Sequence, residues 1–471
     1  MISSSPLPGK RSFASFSITD FQLIKQQMLT WASRVDICCF LDNQAYETGI
    51  PSAFECLLAV GAADTLEAPA GDAFSQLKEW AVHRKEWLFG HFAYDLATET
   101  ESAGTEALTS ATRTEVLTPA AQNAPADAPS PEDLIGFPHL FFFIPAILIE
   151  LKPDSIRIGS FQNDQEAIWR QIVNTRPQVA AGHATPPMAP IPPFTPRFTR
   201  EEYLATVLAL QQHILRGDCY EINFCQEFFS QPAEPDLLST WWSLSQASPN
   251  PFSAFYRLGQ RYLLCASPER YLKKTGETLF SQPIKGTSPR HREDPAADLA
   301  SSRELFLSPK DRSENVMIVD LVRNDLSKVC IPGSVRAAEL YHIYPFPQVF
   351  QMISTITGTL IPGTDWTEVI RATFPMGSMT GAPKNRVVRL IGQYERSRRG
   401  LFSGAVGYVT PEGDFDFNVV IRSLLYNRDN RYLSYQVGSG ITFYSDPAAE
   451  YEECLIKAEG IRKALSAQKK G

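Results

Sequence analysis

The chain has 471 residues, of which 44% are hydrophobic and 20% charged, a composition typical of a folded protein with a large buried core. On length alone it could hold roughly three average domains. The formal net charge of -8 argues against a nucleic acid or an anionic membrane as the main partner, because both need a basic surface. An anionic small substrate remains compatible with this charge, since it needs only a local cluster of cations.

Residues 1–175 predict an N-terminal α+β region with strand-like runs at 33–41, 87–94 and 140–151. The most apolar run, 135–151, is interrupted by two prolines and is too short to span a bilayer, so it predicts a buried pair of strands. Residues 99–132 are rich in Ala, Thr, Ser and Pro and predict a flexible insertion. The first 13 residues lack the apolar stretch of a secretory signal.

Residues 176–197 are rich in Pro and Ala and predict a linker, because Pro is excluded from helix interiors and central strands. The linker separates the first region from a predicted catalytic domain at 198–471. The eight cysteines have neither CxxC nor metal-ligand spacing, which predicts reduced thiols in a cytoplasmic protein. Beyond the linker, helical patterns cover 199–216, 309–329, 366–374, 383–394 and 447–465, and strand patterns cover 252–265, 404–410, 415–427 and 433–443.

Two pairs of acidic residues stand at predicted helix starts, one after a Ser-Pro dipeptide and one after Asp-Pro. Residues three apart share a helix face, so two facing pairs would form an oxygen-rich pocket suited to Mg²⁺. Acids in a first turn also complement the helix dipole, so spacing alone favours a purely structural role for each pair. The four residues are Asp311, Glu314, Glu450 and Glu453.

Three further segments carry residues suited to chemistry. Lys285 lies in a turn, where most lysines are solvated and inert, but a desolvated lysine beside other cations loses its proton and becomes a nucleophile. Residues 377–384 place small residues before a predicted helix, which suits either an anion site or an ordinary capped loop. Arg422 follows apolar strand residues, and a buried guanidinium needs a partner such as a substrate carboxylate.

These segments occur in an order that resembles the chorismate-utilising enzymes, a family that includes anthranilate synthase component I, aminodeoxychorismate synthase component I, and isochorismate and salicylate synthases. The resemblance covers about residues 198–467 and is weak before them. It implies an α+β fold of two packed antiparallel sheets wrapped by helices, with the active site between the sheets. The matching stretches are 217–223 (GDCYEIN), 266–270 (ASPER), 283–287 (PIKGT), 320–326 (DLVRNDL), 377–384 (GSMTGAPK), 403–408 (SGAVGY), 438–441 (GSGI) and 445–453 (SDPAAEYEE).

The resemblance also implies roles for individual residues in and near these stretches. Glu314 and Glu453 are expected to bind Mg²⁺, supported by Asp311 and Glu450, and Glu269 is expected to be the general acid that helps the C4 hydroxyl of chorismate to leave. That last role requires a proton held at neutral pH, which burial favours. The residues expected to bind the substrate are Thr287, Arg422, Gly438, Gly440 and Lys457.

Position 285 separates the branches of the family, since aminodeoxychorismate synthases have Lys there and the other branches have Ala. Lys285 is therefore expected to attack C2 of chorismate, with loss of the C4 hydroxyl, before ammonia adds at C4 and expels the lysine. Gln351 stands where many relatives carry a His that anthranilate synthases associate with pyruvate elimination. Glu221 stands where Gln is frequent and where salicylate synthases have Lys. A contact with ammonia and a contact with the substrate are the two alternatives for it.

The implied reaction converts chorismate and ammonia to 4-amino-4-deoxychorismate on the route to p-aminobenzoate and folate. The sequence lacks a Gly-x-Cys-x-Gly glutaminase motif, so a separate glutamine amidotransferase is expected to supply ammonia and a separate lyase to act on the product. Anthranilate synthase component I is the alternative within the family. A silent chorismate-binding subunit is the alternative from another class.

Overall fold

The computed structural model describes residues 9–46, 54–100, 132–178 and 191–467. The predicted insertion at 99–132 lies almost wholly outside the described residues, as does much of the predicted linker at 176–197. The described helices are α1 (Phe21–Ala32), α2 (Ala73–Ala81), α3 (Gln165–Val173), α4 (Arg200–Leu215), α5 (Leu237–Ala247), α6 (Pro295–Leu307), α7 (Pro309–Ser327), α8 (Trp366–Thr373), α9 (Lys384–Tyr394), α10 (Pro447–Lys457) and α11 (Glu459–Ala467).

Strands make up most of the remaining described structure, and all their named pairings are antiparallel. In chain order they are β1 (Ser12–Ser17), β2 (Ile37–Asp42), β3 (Cys56–Ala68), β4 (Leu88–Phe92), β5 (Leu140–Leu151), β6 (Ser155–Ser160), β7 (Thr195–Pro196), β8 (Glu221–Ser230), β9 (Phe252–Leu258), β10 (Arg261–Ser267), β11 (Arg270–Thr275), β12 (Thr278–Gln282), β13 (Ile284–Pro289), β14 (Arg336–Pro345), β15 (Val349–Thr359), β16 (Gly381–Ala382), β17 (Ala405–Val409), β18 (Phe415–Asn418), β19 (Ser423–Asn427) and β20 (Tyr432–Ile441).

The strands form two antiparallel layers that share β5. One layer has the pairing order β6, β5, β3, β2, β9, β10, β19, β20 and β8. The other has the order β5, β4, β17, β18, β11, β12, β15 and β14, with β13 also on β15. The described structure therefore confirms the fold class, α+β with two packed antiparallel sheets wrapped by helices.

Alternating side chains of the first layer divide the hydrophobic core into two parts. In β3, Leu57 and Ala59 belong to a cluster shared with the second layer and with helices α2, α7 and α8. Leu58 and Val60 belong to a second cluster shared with helices including α1, α3, α4 and α5. Successive strand residues point to opposite faces, so both faces of this part of β3 are buried and residues 56–60 form a continuous apolar run.

The apolar run at 135–151 contains a single strand, β5 at 140–151, and the expectation of a strand pair was wrong. β5 continues through Pro145 because that residue lies opposite an irregularity in β3, where the register shifts between Ala62 and Asp64. Proline lacks an N–H donor and is tolerated at such bulges. Its carbonyl accepts a hydrogen bond from the guanidinium of Arg11 at 2.7 Å.

Strands from both sides of the predicted linker pair with one another. β2 lies beside β9, and β4 lies beside β17, so residues before 176 contribute to the same two layers as residues after 197. The division at 176–197 stays a prediction. The eight cysteines are free and buried, which confirms that they pack as small apolar side chains. None of the described helices combines the length and the apolar character needed to cross a membrane.

Candidate active site

The predicted site residues come from the ends of several elements, and local signals fix the two helices that carry the acids. α7 begins with Pro309, and its N-cap Ser308 accepts a hydrogen bond from the backbone N–H of Asp311 at 3.3 Å. α10 begins in the same way, with Asp446 as the N-cap. Both starts match the sequence prediction, although the helical pattern at 447–465 divides at Ala458 into α10 and α11.

Lys285 lies on β13 with only 12% of its side chain exposed. Its Nζ donates a hydrogen bond to Oε1 of Glu221 at 2.8 Å, and the side chain of Glu221 is 2% exposed. Burial favours the neutral amine, but the charges of Glu221, Glu314 and Glu453 outweigh it and raise the pKa of Lys285. Carboxylates from three different elements therefore favour the ammonium form of Lys285.

Glycine allows this ion pair to lie against β20. A Cβ atom at Gly440 would lie 2.7 Å from both Oε1 of Glu221 and Nζ of Lys285. Gly286 next to Lys285 has a positive φ of 91°, and a Cβ there would lie 2.9 Å from a carboxylate oxygen of Asp311. Strand β13 therefore passes so close to the side chain of Asp311, at the start of α7, that only glycine fits at position 286 without displacing it.

The acids of α7 and α10 are linked by a lysine that the sequence analysis did not single out. Nζ of Lys310 lies 3.8 Å from Oε1 of Glu314 and 3.8 Å from Oε1 of Glu450. Burial raises the pKa of Glu314 to about 7, and the nearby carboxylates of Glu221 and Glu453 act in the same direction. The two helices therefore face each other, and their carboxylates already share one cation.

The basic residues predicted to bind substrate lie around the same acids. Nζ of Lys457 lies 2.6 Å from Oε1 of Glu453 and donates to the carbonyl of Gly438 at 2.9 Å. Burial raises the pKa of Glu453, but Lys457 and other nearby ammonium groups outweigh it, so the net shift is downward. Arg422 has a positive φ of 52°. Its guanidinium makes no hydrogen bond or ion pair within the described part of the chain, and it interacts electrostatically with Glu453.

Glu269 lies between β10 and β11 and is 5% exposed. Burial raises the pKa of its carboxyl group to about 7, while Ser378 and the ammonium groups of Lys285 and Lys457 act in the opposite direction. Glu269 lines a small cavity of about 20 Å³ together with Ser378. A carboxyl group in this environment can hold and release a proton near neutral pH.

Thr287 is less closely tied to the site than the other predicted residues. It is exposed on β13, and its side chain has no hydrogen bond among the described residues. Its register partner on β15 is Gln351, which is 3% exposed. The residue that replaces the His of many relatives therefore lies beside the strand that carries Lys285.

The glycine-rich segment at 377–384 contains a turn followed by a short strand. Gly381 and Ala382 form β16, which pairs with Ile222 and Glu221. Nζ of Lys384, at the start of α9, lies 2.5 Å from a carboxylate oxygen of Asp325 and donates to the carbonyl of Thr373 at 2.9 Å. The segment therefore lies beside the start of β8, which carries Glu221.

The donor set of the two helices fits a hard divalent cation, because it consists of carboxylates from facing helices with one ammonium group between them. These acids are not the most compact group of metal-ligand type. Within the described ranges, the three residues whose ligand atoms all lie within 4.8 Å of one another are Asp42, Glu55 and Cys56. Lys25 lies 2.6 Å from Asp42 and supplies a positive charge to that group.

Sequence comparison decides the family to which this arrangement belongs. The model of the chorismate binding enzymes matches residues 38–463. The chain belongs to the chorismate binding enzyme family. Its match extends across both sides of the predicted linker, and strands from both sides pair in the structure.

Three relatives define the likeness. The chain is 40% identical over 267 residues to aminodeoxychorismate synthase component 1 of Klebsiella aerogenes, covering 57% of this chain and 58% of that one, so the match spans little more than half of that relative. It is 36% identical over 320 residues to the protein of the same name from Salmonella typhimurium, covering 68% of each. The structure of anthranilate synthase component I from Streptococcus pneumoniae aligns with a TM-score of 0.70 and 22% identity, covering 88% of this chain and 94% of that one. This last likeness concerns the fold.

Proposed function

We propose that this chorismate binding enzyme converts chorismate and ammonia to 4-amino-4-deoxychorismate, through a covalent intermediate on Lys285. The observation that carries the proposal is the buried ammonium group of Lys285, which donates to Glu221 and faces the acids of α7 and α10. The two curated relatives described above bear the name aminodeoxychorismate synthase component 1, which supports the same reaction.

In the first half of the reaction, Nζ of Lys285 forms a bond to C2 of chorismate. The ring double bond shifts, the C4–O bond breaks, and Glu269 donates its proton so that the hydroxyl group leaves as water. A pKa of about 7 allows Glu269 to carry that proton at neutral pH. In the second half, ammonia forms a bond to C4, the double bond shifts back, the C2–N bond to Lys285 breaks, and the new ammonium group at C4 returns a proton to Glu269.

Substrate carboxylates are proposed to bind at the two cations beside Glu453, Arg422 and Lys457. Arg422 interacts electrostatically with Glu453 and has no ion-pair partner within 4 Å in the described residues, so it is available to a carboxylate in bidentate geometry. Lys457 lies between Glu453 and the backbone of Gly438. Gly440 leaves room for the ion pair of Lys285 and Glu221, and Thr287, exposed two residues after Lys285 on β13, is proposed as a further substrate contact.

Glu314 and Glu453 are proposed to hold Mg²⁺, with Asp311 and Glu450 in support. When bound, Mg²⁺ would neutralise the carboxylate group of the substrate and orient the ring. The fit rests on the hard oxygen donors that the two helices present to each other. Holding a ring in place beside a nucleophile supplies the effective concentration on which covalent catalysis depends.

The proposed partners follow from the reaction. A glutamine amidotransferase on a separate chain would supply ammonia, and a lyase would remove pyruvate from the product to give p-aminobenzoate for folate. The name component 1 in the relatives supports the existence of a second component. Cytoplasmic location stays a prediction from the cysteine pattern.

The decisive experiment supplies chorismate, Mg²⁺ and an ammonium salt, and identifies the product by mass and fluorescence. We expect 4-amino-4-deoxychorismate. Direct appearance of anthranilate would instead assign the chain to the anthranilate synthase reaction. Absence of turnover with retained chorismate binding would indicate a silent binding subunit. A chelator should abolish turnover, and added Mg²⁺ should restore it.

The role of Lys285 is tested separately with a matched lysine. Lys285→Ala should lose amination while still binding chorismate. Lys274→Ala is the control. Lys274 lies on β11, its side chain is also 12% exposed, and its Nζ lies 3.0 Å from a carboxylate oxygen. Equal activity of the two variants would remove the covalent step. Intact-protein mass of the wild type during turnover should reveal the adduct directly.

A further inference from the structure

Glu221 occupies a fixed position at the start of β8. Its backbone pairs with Ala382 of β16, and the next residue pairs with Ile441 of β20. A Cβ atom at Gly381 would lie 2.1 Å from the carbonyl oxygen of Glu221, so the two backbones are in the closest contact that glycine permits. The backbone of Glu221 is therefore held on both sides by neighbouring strands, which fixes the position of its carboxylate beside Lys285.

The two oxygens of this carboxylate have different surroundings. Oε1 accepts the hydrogen bond from Nζ of Lys285 at 2.8 Å. Oε2 is buried and has no hydrogen-bond partner in the described residues. An unsatisfied buried carboxylate oxygen is costly to maintain, since a charged acceptor has lost water without replacement. A catalytic role is one of the recognised reasons for such a group.

We propose that Glu221 is the proton acceptor of Lys285, a role that rests on the proposed function. In the first half of the reaction, the proton on Nζ passes to Oε1, which leaves Lys285 as a neutral amine with a free electron pair and Glu221 as a carboxylic acid. The electron pair forms the bond to C2 of chorismate. In the second half, Glu221 returns the proton to Nζ as the C2–N bond breaks, so both residues end as they began.

The same contact could serve only to hold the amine in place. Glutamine, which is frequent at this position in relatives, separates the two roles because its carbonyl oxygen accepts the same hydrogen bond but takes no proton at neutral pH. Positioning alone predicts that Glu221→Gln acts like the wild type. Proton acceptance predicts a loss confined to the chemical step.

The test measures Glu221→Gln beside Glu227→Gln as a matched control. Glu227 lies six residues further along β8, is 5% exposed, and is paired with Arg197 at 2.9 Å, away from Lys285. We expect Glu221→Gln to lower kcat about 10²-fold, within the range for loss of a general base, with KM for chorismate unchanged. The rate of adduct formation, followed by intact-protein mass in a single turnover, should fall by the same factor. Glu227→Gln should leave both rates near those of the wild type.

A second variant guards against misfolding. Glu221→Ala opens space beside Lys285, and added formate can then supply a free carboxylate. A rate that rises with formate concentration supports the proposal, and a rate independent of formate overturns it. Wild-type rates of kcat and adduct formation in Glu221→Gln would also overturn it. If the wild type itself forms no 4-amino-4-deoxychorismate, the proposed function is wrong. If only the Glu221 variants behave unexpectedly, the role of Glu221 alone is wrong.

Discussion

Gly440 offers the most direct test of the geometry around Lys285. In Gly440→Ala, the new Cβ would lie 2.7 Å from Oε1 of Glu221 and 2.7 Å from Nζ of Lys285. Both atoms are the ends of side chains, and no backbone atom is among the three nearest neighbours. The ammonium and the carboxylate must therefore move, while the strands can stay in place.

The size of the effect follows from these distances. Ordinary contact with a methyl group begins at about 3.4 Å, so Nζ must be displaced by about 0.7 Å, and misplacement by about 1 Å can cost about 10²-fold in rate. We expect kcat to fall about 30- to 100-fold. Overpacking by one methyl group costs about 1 kcal/mol at the lower end of its range when side chains yield, so the free energy of unfolding should change little.

The assay combines kcat for chorismate amination, intact-protein mass of the adduct, and denaturant unfolding. Gly392→Ala is the control, because Gly392 lies in α9 and a methyl group added there would meet no atom within 4 Å. That change should leave kcat unaltered and stabilise the protein by about 0.5–1 kcal/mol. Wild-type kcat in Gly440→Ala would refute the placement of the pair. A loss of stability above about 3 kcal/mol would show that the backbone had yielded instead.

Three other outcomes are expected. Lys310→Gln removes an ammonium group 3.8 Å from carboxylates of Glu314 and Glu450, so Mg²⁺ binding by calorimetry should tighten about two- to fivefold, a small effect because 62% of the lysine side chain is exposed; weaker binding would contradict this. Because Glu269 must be protonated to act as an acid and burial raises its pKa to about 7, kcat/KM should fall as pH rises through about 7, and Glu269→Gln should lack this fall. Arg399→Met leaves the buried carboxylate of Glu395, 2.6 Å away, without its partner and should lower the free energy of unfolding by about 3–5 kcal/mol. Adding Glu395→Gln should restore part of this loss.

Local signals in the sequence were sufficient for the parts of the site that depend on helix starts. Ser308-Pro309 and Asp446-Pro447 predicted where α7 and α10 begin, and both N-caps are formed. Such signals work because the cap residue satisfies backbone donors within three residues, independently of the rest of the fold. Strand-like runs of residues similarly predicted β2, β4 and β20, whose boundaries lie within a few residues of the expected ones.

Contacts between distant segments could not be read in this way. Glu221 and Lys285 are 64 residues apart, and their ion pair depends on β16, β8 and β20 lying side by side. The continuation of β5 through Pro145 depends on an irregularity in its partner β3. Lys310 had a visible signal, its i,i+4 spacing to Glu314, but spacing does not reveal that Glu450 lies equally close.

The protonation of Lys285 and the proposed binding of Mg²⁺ depend on the same carboxylates. Glu221, Glu314 and Glu453 together raise the pKa of Lys285 against the effect of burial. Two of these three carboxylates are the proposed ligands of Mg²⁺. If they share a divalent cation, their negative charge is offset, and Glu221 alone remains to favour the ammonium form. Glu221, which accepts the hydrogen bond from Nζ of Lys285 at 2.8 Å, would then be the carboxylate left to take up the proton of the ammonium group.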